Sequence, residues 1–188
     1  MLKLFTKFSI TVIAFLFLLY LLLPSPPTPP PLPNSLKSTE PGDTVQIPGV
    51  SAYYSQLDRK FVTSYYQKEF PLKIFSKISL PAYRLNHPPE LAREKIRSGI
   101  LTSYLEEVVV PFRETLFVNG WEPDLLYKNN PAKFQSEALI VDNTRYFSKT
   151  TLLPFYSTYL ARLINFGGIF ISGFILFTLI RRIIFENK

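Results

Sequence analysis

The chain has 188 residues, of which 47% are hydrophobic, with a formal charge of +7, 17 prolines, one histidine and no cysteine. This length holds one modest domain plus extra segments. The missing cysteines exclude a disulfide framework and thiolate metal sites, and the single histidine excludes histidine-rich zinc sites and paired-histidine catalysis.

The first apolar run, residues 8–23, is uncharged and extends back through Leu4 and Phe5. That approaches the roughly 20 residues a helix needs to cross about 30 Å of hydrocarbon. Lys3 and Lys7 precede it as in a secretory signal, but Pro24, Ser25 and Pro26 follow with no small-x-small cleavage site. Residues 1–23 are therefore expected to be a cytoplasmic tail and an uncleaved transmembrane helix. Residues 24–33 contain seven prolines, a composition that favours an extended rod of ~3.1 Å per residue. With the polar stretch to Pro48 they read as a linker over residues 24–48 that spaces the anchor from the domain.

From residue 49 to residue 154 the pattern is that of an extracytoplasmic α+β domain, an antiparallel or mixed sheet with two helices on one face, set between two transmembrane helices. Residues 50–56 predict a strand. Asp58 is placed to cap a helix to Phe70 that buries Phe61, Val62, Tyr65, Tyr66 and Phe70, and Pro71 stops it. Residues 72–85 return to strand. The four-residue steps of Ile96, Ile100, Tyr104 and Val108 predict a long helix over residues 88–109, ended or kinked by Pro111. Residues 115–118 and Trp121 around Asn119-Gly120 read as a hairpin, in preference to a short helix from Pro111 capped by the same pair. Asp142-Asn143 centres a second hairpin, residues 138–141 with 145–153.

The second apolar run, residues 163–180, also lacks charge. Residues 155–185 are expected to be a juxtamembrane segment and a second transmembrane helix, with Phe155, Tyr156 and Tyr159 as an interfacial belt and Arg162 reaching toward headgroups. One continuous helix is expected over residues 156–185. Asn165, Gly168 and Ser172 share one face of it. Small residues and an asparagine there fit helix packing against the first span at Thr11 and Ala14, a second copy or another subunit. Residues 186–188 form a cytoplasmic tail. Lys3 and Lys7 flank one run, and Arg181, Arg182 and Lys188 the other, so both termini are expected in the cytoplasm and the middle outside. Those tails hold five basic residues against one acid. The remaining excess is small and calls for no nucleic-acid partner.

Few residues carry a chemical signature. His87, before Pro88-Pro89, reads as a helix cap. Glu90, Arg93, Glu94 and Arg97 read as a solvated ion-pair face, and the adjacent Glu106 and Glu107 form no pair. There is no phosphate loop, nucleophile elbow or zinc-protease motif. Trp121, near a turn, is the candidate partner contact. No catalytic, metal or cofactor residue is singled out.

Residues 38–44 (Ser-Thr-Glu-Pro-Gly-Asp-Thr), 83–90 (Tyr-Arg-Leu-Asn-His-Pro-Pro-Glu) and 116–123 (Leu-Phe-Val-Asn-Gly-Trp-Glu-Pro) resemble uncharacterised two-span envelope proteins of small-genome bacteria. The resemblance implies the topology and no activity. The absence of an Asn-x-Ser/Thr acceptor also favours a bacterial plasma membrane. The function expected is therefore a two-pass envelope protein, not an enzyme, whose outer domain is a binding or scaffold module. Its partners would be the lipid bilayer and an envelope protein, with homo-oligomer formation through the second span as an option. The alternatives are an accessory subunit of a transport or secretion complex, and an enzyme acting on an envelope substrate.

Overall fold

The computed structural model describes residues 2–44, 46–96 and 101–186. The chain forms two compact units, one of Met1–Pro24 with Ser157–Lys188 and one of Ser25–Tyr156.

The first unit pairs α1 (Leu2–Leu22) with α7 (Tyr159–Glu186). Among the described residues one helix, Tyr159–Ile184, is long and apolar enough to cross a membrane, and Phe8–Leu22 is a shorter apolar helix. Phe17 meets Phe166 at 5.9 Å between ring centroids. Arg162 Nη1 donates to the carbonyls of Leu21 (3.2 Å) and Leu23 (3.0 Å). The start of α7 thus caps the end of α1, and Phe166 lies beside the earlier Phe17, so the two helices run antiparallel. Expected to reach outward to headgroups, Arg162 is instead 1% exposed. It is held there because the last carbonyls of a helix lack partners and attract a cation.

In the second unit the elements are β1 (Leu36–Lys37), α2 (Pro41–Thr44), β2 (Ser51–Ser55), α3 (Arg59–Glu69), β3 (Lys73–Ile74), β4 (Ile78–Ser79) and β5 (Tyr83–His87). A 3₁₀ turn (Pro89–Leu91), α4 (Ala92–Ile96), β6 (Tyr104–Val110), β7 (Glu114–Trp121), α5 (Pro123–Leu126) and α6 (Pro131–Ser136) follow. Then come β8 (Leu139–Val141), β9 (Thr144–Tyr146) and β10 (Ser148–Tyr156). Six strands form one antiparallel sheet in the order β1-β2-β10-β7-β6-β5, and β3-β4 and β8-β9 are separate hairpins. The α+β class with an antiparallel sheet is as expected.

The register sorts side chains to two faces, because alternate residues of a strand point to opposite sides. One face carries Tyr53, Thr150, Gly120 and Tyr104 in a single row, then Leu152, Val118 and Glu106 in the next. Helix α3 covers it. The other carries Leu105, Phe117 and Leu153, which join Val50, Ala92 and Ile96 in one hydrophobic core. Helix α4 covers that side, so helices lie on both faces and not on one as expected.

Local chemistry explains the elements that match. Asp58 accepts from the Phe61 backbone N–H at 2.8 Å and caps α3, whose Val62, Tyr66 and Phe70 are buried while Phe61 is exposed. Asp142 and Asn143 adopt left-handed φ of 49° and 59°, which these two residues tolerate well and a tight hairpin turn requires.

Three elements differ. The long helix expected over 88–109 breaks into the 3₁₀ turn, α4 and β6, with Ile100 and Arg97 outside the described residues. Strand β6 is buried on both sides, so its apolar residues do not alternate simply, and a short run of that kind imitates a helix by periodicity alone. The strand expected over 72–85 contains the β3-β4 hairpin before β5. Asn119-Gly120 is neither turn nor cap but the interior of β7, and the turn lies before it, with Phe112 at φ 60°.

Gly120 is in a strand because the Tyr104 ring lies across it, where an added Cβ would overlap the ring. Gly120→Ala should therefore destabilise the protein by about 1–3 kcal/mol, as overpacking does. Denaturant titration in detergent should show a smaller loss when Tyr104→Leu is added, since the two sites are coupled.

Candidate functional site

Residues 25–48, expected as a free spacer, belong to the sheet unit and wrap along it. Prolines lack an N–H and cannot join a strand ladder through it, but their carbonyls remain strong acceptors. Three tyrosines use them: Tyr156 donates to Pro27 O (3.2 Å), Tyr66 to Pro30 O (3.2 Å) and Tyr65 to Pro31 O (2.9 Å). Leu32 is buried. The arrangement is that of a polyproline ligand on an aromatic surface, built within one chain. Beside it a groove of about 350 Å³ lies between Pro26, Pro27, Thr28 and Pro30 on one wall and residues 69–73 on the other.

Further along, β1 pairs with the edge of β2, and a polar clasp fixes the segment to β10. Lys149 Nζ contacts Glu40 Oε2 at 2.9 Å and Asp43 Oδ2 at 2.8 Å. Ser38 donates to Asp43, Tyr54 donates to Glu40, and the ammonium lies 5.2 Å from the Tyr54 ring centroid. Burial pulls the Lys149 ammonium toward neutrality, but hydrogen bonds to Asp43 and Glu40 outweigh it and hold its pKa above the ordinary value. The Lys149 and Tyr54 hydrogen bonds hold the Glu40 carboxyl below its own. A lysine so firmly charged cannot accept a proton from Ser38, so the clasp is structural.

Two more clusters sit on opposite faces of β6. Glu106, whose side chain is 4% exposed, binds Arg59 at 2.6 Å and Arg84 at 3.1 Å. Arg59 also donates to Asn86 and Arg84 to Thr63. Glu107 gives one oxygen to His87 Nε2 (2.7 Å) and the other to the Thr115 hydroxyl (2.8 Å). His87 is thus no helix cap, since Pro88 occupies the cap position without a side-chain bond. The two glutamates indeed do not pair, although the reason is strand alternation and not helical divergence. Glu122, which accepts from the Arg59 backbone N–H at 2.8 Å, has its pKa raised by burial, only partly offset by that bond. A smaller cavity of about 320 Å³ lies between Pro89, Glu90, Ala92, Arg93 and Thr102. Among the described residues no group of three or more metal-ligating side chains converges.

Trp121 is half-buried at the end of β7, in the row of Lys149 and Tyr54, and its indole N–H is buried without a partner. Asn165, Gly168 and Ser172 are all exposed, and nothing lies within 4 Å of a Cβ added at Gly168. Asn165, Gly168 and Ser172 thus share one exposed face of α7. What sequence reading missed is the pairing of prolines with tyrosines, for which the abundance of tyrosine on α3 was the available signal.

The sign of each shift sets the pH range of the clasp. Glu40 contributes fully above the usual carboxylate pKa of ~4.3 and loses its contribution as acid protonates it, whereas Lys149 contributes fully below ~10.4 and loses it only in stronger base. The clasp's contribution, read in detergent as the difference in stability between the parent and Lys149→Met, should be level between and fall on both sides. Lys149→Met leaves Asp43 unpaired and should cost about 3 kcal/mol, with much of it regained by adding Asp43→Asn. No protein-family model matches the chain, and neither the curated proteins nor the solved structures contain a match to it.

Proposed function

We propose that this chain is a two-pass membrane protein with both termini in the cytoplasm, whose residues 25–156 form an extracytoplasmic, non-catalytic binding or scaffold module of a cell-envelope assembly. The observation that carries the reading is the antiparallel pairing of α1 and α7 with Arg162 capping α1. Antiparallel neighbours return the chain to the side it left, which agrees with basic residues at both ends of the sequence. Arginine bonding to the last carbonyls of α1 also satisfies groups that lipid cannot. The binding role is supported by the clusters described above, in which Glu40, Asp43, Glu106 and Glu107 are each engaged by cations or hydroxyls, while Glu122 is held by a backbone N–H.

Cysteine-free sequence makes the topology directly testable. Leu2→Cys, Asn129→Cys and Asn187→Cys are each treated with an impermeant maleimide in intact cells. Only Asn129→Cys should label before permeabilisation. Labelling of Leu2→Cys as well would reduce the chain to one crossing, and labelling of the two terminal sites alone would reverse the orientation.

The accessory-subunit reading is favoured by a different observation, the exposed face of Asn165, Gly168 and Ser172, which α1 does not use. Close backbone approach at small residues and an asparagine hydrogen bond drive helix association in lipid. Gly168→Ile should leave the α1–α7 contact intact and weaken cross-linking to a second copy or another subunit. Undiminished cross-linking would leave this face without a role in assembly.

A further inference from the structure

The β3-β4 hairpin is built against the usual turn chemistry. Lys77 N–H donates to Ile74 O at 3.2 Å, and the two residues between them, Phe75 and Ser76, have φ of 52° and 58°. The β8-β9 turn has the same left-handed pair but fills it with Asp142-Asn143, which tolerate it. A bulky aromatic at such φ is an outlier. Nor does Phe75 recover anything by packing, since it is 88% exposed, and Ile78 across the hairpin is 64% exposed. Lys68 and Lys77 are exposed beside them and make no ion pair among the described residues, while Lys73 pairs with Glu69.

Position decides what such a tip can meet. The hairpin starts directly after Phe70, whose ring lies 6.3 Å from that of Tyr156. Tyr156 in turn donates to Pro27 O at 3.2 Å. Both places where the chain leaves the sheet unit for the apolar helices, near Pro27 and after Tyr156, therefore adjoin the base of this hairpin. Two residues separate Tyr156 from the first residue of α7, and the four steps from Pro71 to Phe75 extend about 14 Å at most. Lysines around an exposed aromatic and an isoleucine complement an anionic headgroup layer over hydrocarbon.

We propose that the β3-β4 hairpin is a lipid-inserting finger, which puts Phe75 and Ile78 into the outer bilayer interface and sets Lys68 and Lys77 against anionic headgroups. This rests on the membrane-anchored reading of the preceding subsection. Strain at Phe75 is then retained for the contact and not for the fold, so Phe75→Asn should raise the melting temperature in detergent.

The full chain carries one tryptophan, Trp121, so Trp121→Phe gives a background for single reporters. Phe75→Trp, Ile171→Trp and Ile140→Trp are each reconstituted into phosphatidylcholine vesicles with and without phosphatidylglycerol, using lipids brominated near the headgroup or along the chains. Ile140, on β8, is the control. It is similarly apolar and exposed, but its hairpin adjoins the far end of β10, whose nine residues extend roughly 30 Å. The reporter at 75 should lose most of its emission to headgroup-level bromines and the reporter at 171 to chain bromines, while that at 140 stays bright. With phosphatidylglycerol present, Lys68→Gln and Lys77→Gln should each lower the inserted fraction relative to the free by about five-fold, the equivalent of ~1 kcal/mol per charge. Bright emission at 75 with quenching at 171 overturns the finger and leaves the anchor standing, whereas bright emission at 171 removes the anchor itself. Protection of the reporter at 75 from both bromines and aqueous iodide would mean that protein covers it, and also overturns the finger.

Discussion

Strand β10 hydrogen-bonds to β2 along one side and to β7 along the other, so the sheet cannot close until the last strand of the unit has been inserted between two earlier ones. Its pairing to β2 joins residues roughly a hundred positions apart, and such closure must be made before the contacts reward it. The same strand brings Lys149 to the clasp, Leu153 to one core and Tyr156 to Pro27. Three otherwise separate stretches of chain thus depend on one strand finding its register, and a slip of one residue would exchange the faces of all three.

Between the faces the division of labour is uneven. Leu105, Phe117 and Leu153 meet Ala92 and Ile96 in an apolar core. Opposite them Glu106 is buried with Arg59 and Arg84, beside a Tyr104 hydroxyl that makes no well-formed hydrogen bond. Burying such a carboxylate is costly unless it is paired, and the pairing is worth less than an apolar replacement of equal volume. What the arrangement adds is direction, since Arg59 is the first residue of α3 and Arg84 lies on the edge strand, so one carboxylate ties the helix and the strand to a fixed place on the sheet. Pro30 and Pro31 then lie on a helix already oriented, and Pro27 on the end of β10. A polyproline segment loses little conformational freedom on docking, so a few hydroxyl-to-carbonyl bonds suffice to hold it.

Sequence pattern alone revealed what local chemistry determines. Asp58 and the apolar spacing behind it mark α3, the aromatic pair Tyr53-Tyr54 marks β2, and Asp142-Asn143 mark their turn. It failed where distant residues decide. Residues 104–110 become a strand because both of their neighbours in the sheet and both covering helices bury them. Asn119-Gly120 has the composition of a turn, yet the glycine is there to clear the Tyr104 ring. His87 has a capping residue's position but a strand partner's bond, to Glu107. The prolines were expected to be a spacer, and only the tyrosines of α3 and β10, remote in sequence, make them part of the domain.

An arginine near the start of an apolar helix has two physical outlets. It can extend along the helix to water, or it can turn to acceptors that lack partners. In this chain the second prevails for Arg162, because α1 ends on carbonyls with no intrahelical donor at the same level. The consequence for the proposed two-pass topology is a matter of length. Phe8–Leu22 is a shorter apolar helix than Tyr159–Ile184, and a short helix meets the edge of the hydrocarbon with its terminal carbonyls near lipid, where an unsatisfied group costs several kcal/mol (about 2–7). Capping from α7 removes that cost without lengthening α1. It also makes the two helices interdependent, since removal of the Arg162 guanidinium would expose α1's last carbonyls and leave α7 apolar enough to insert alone.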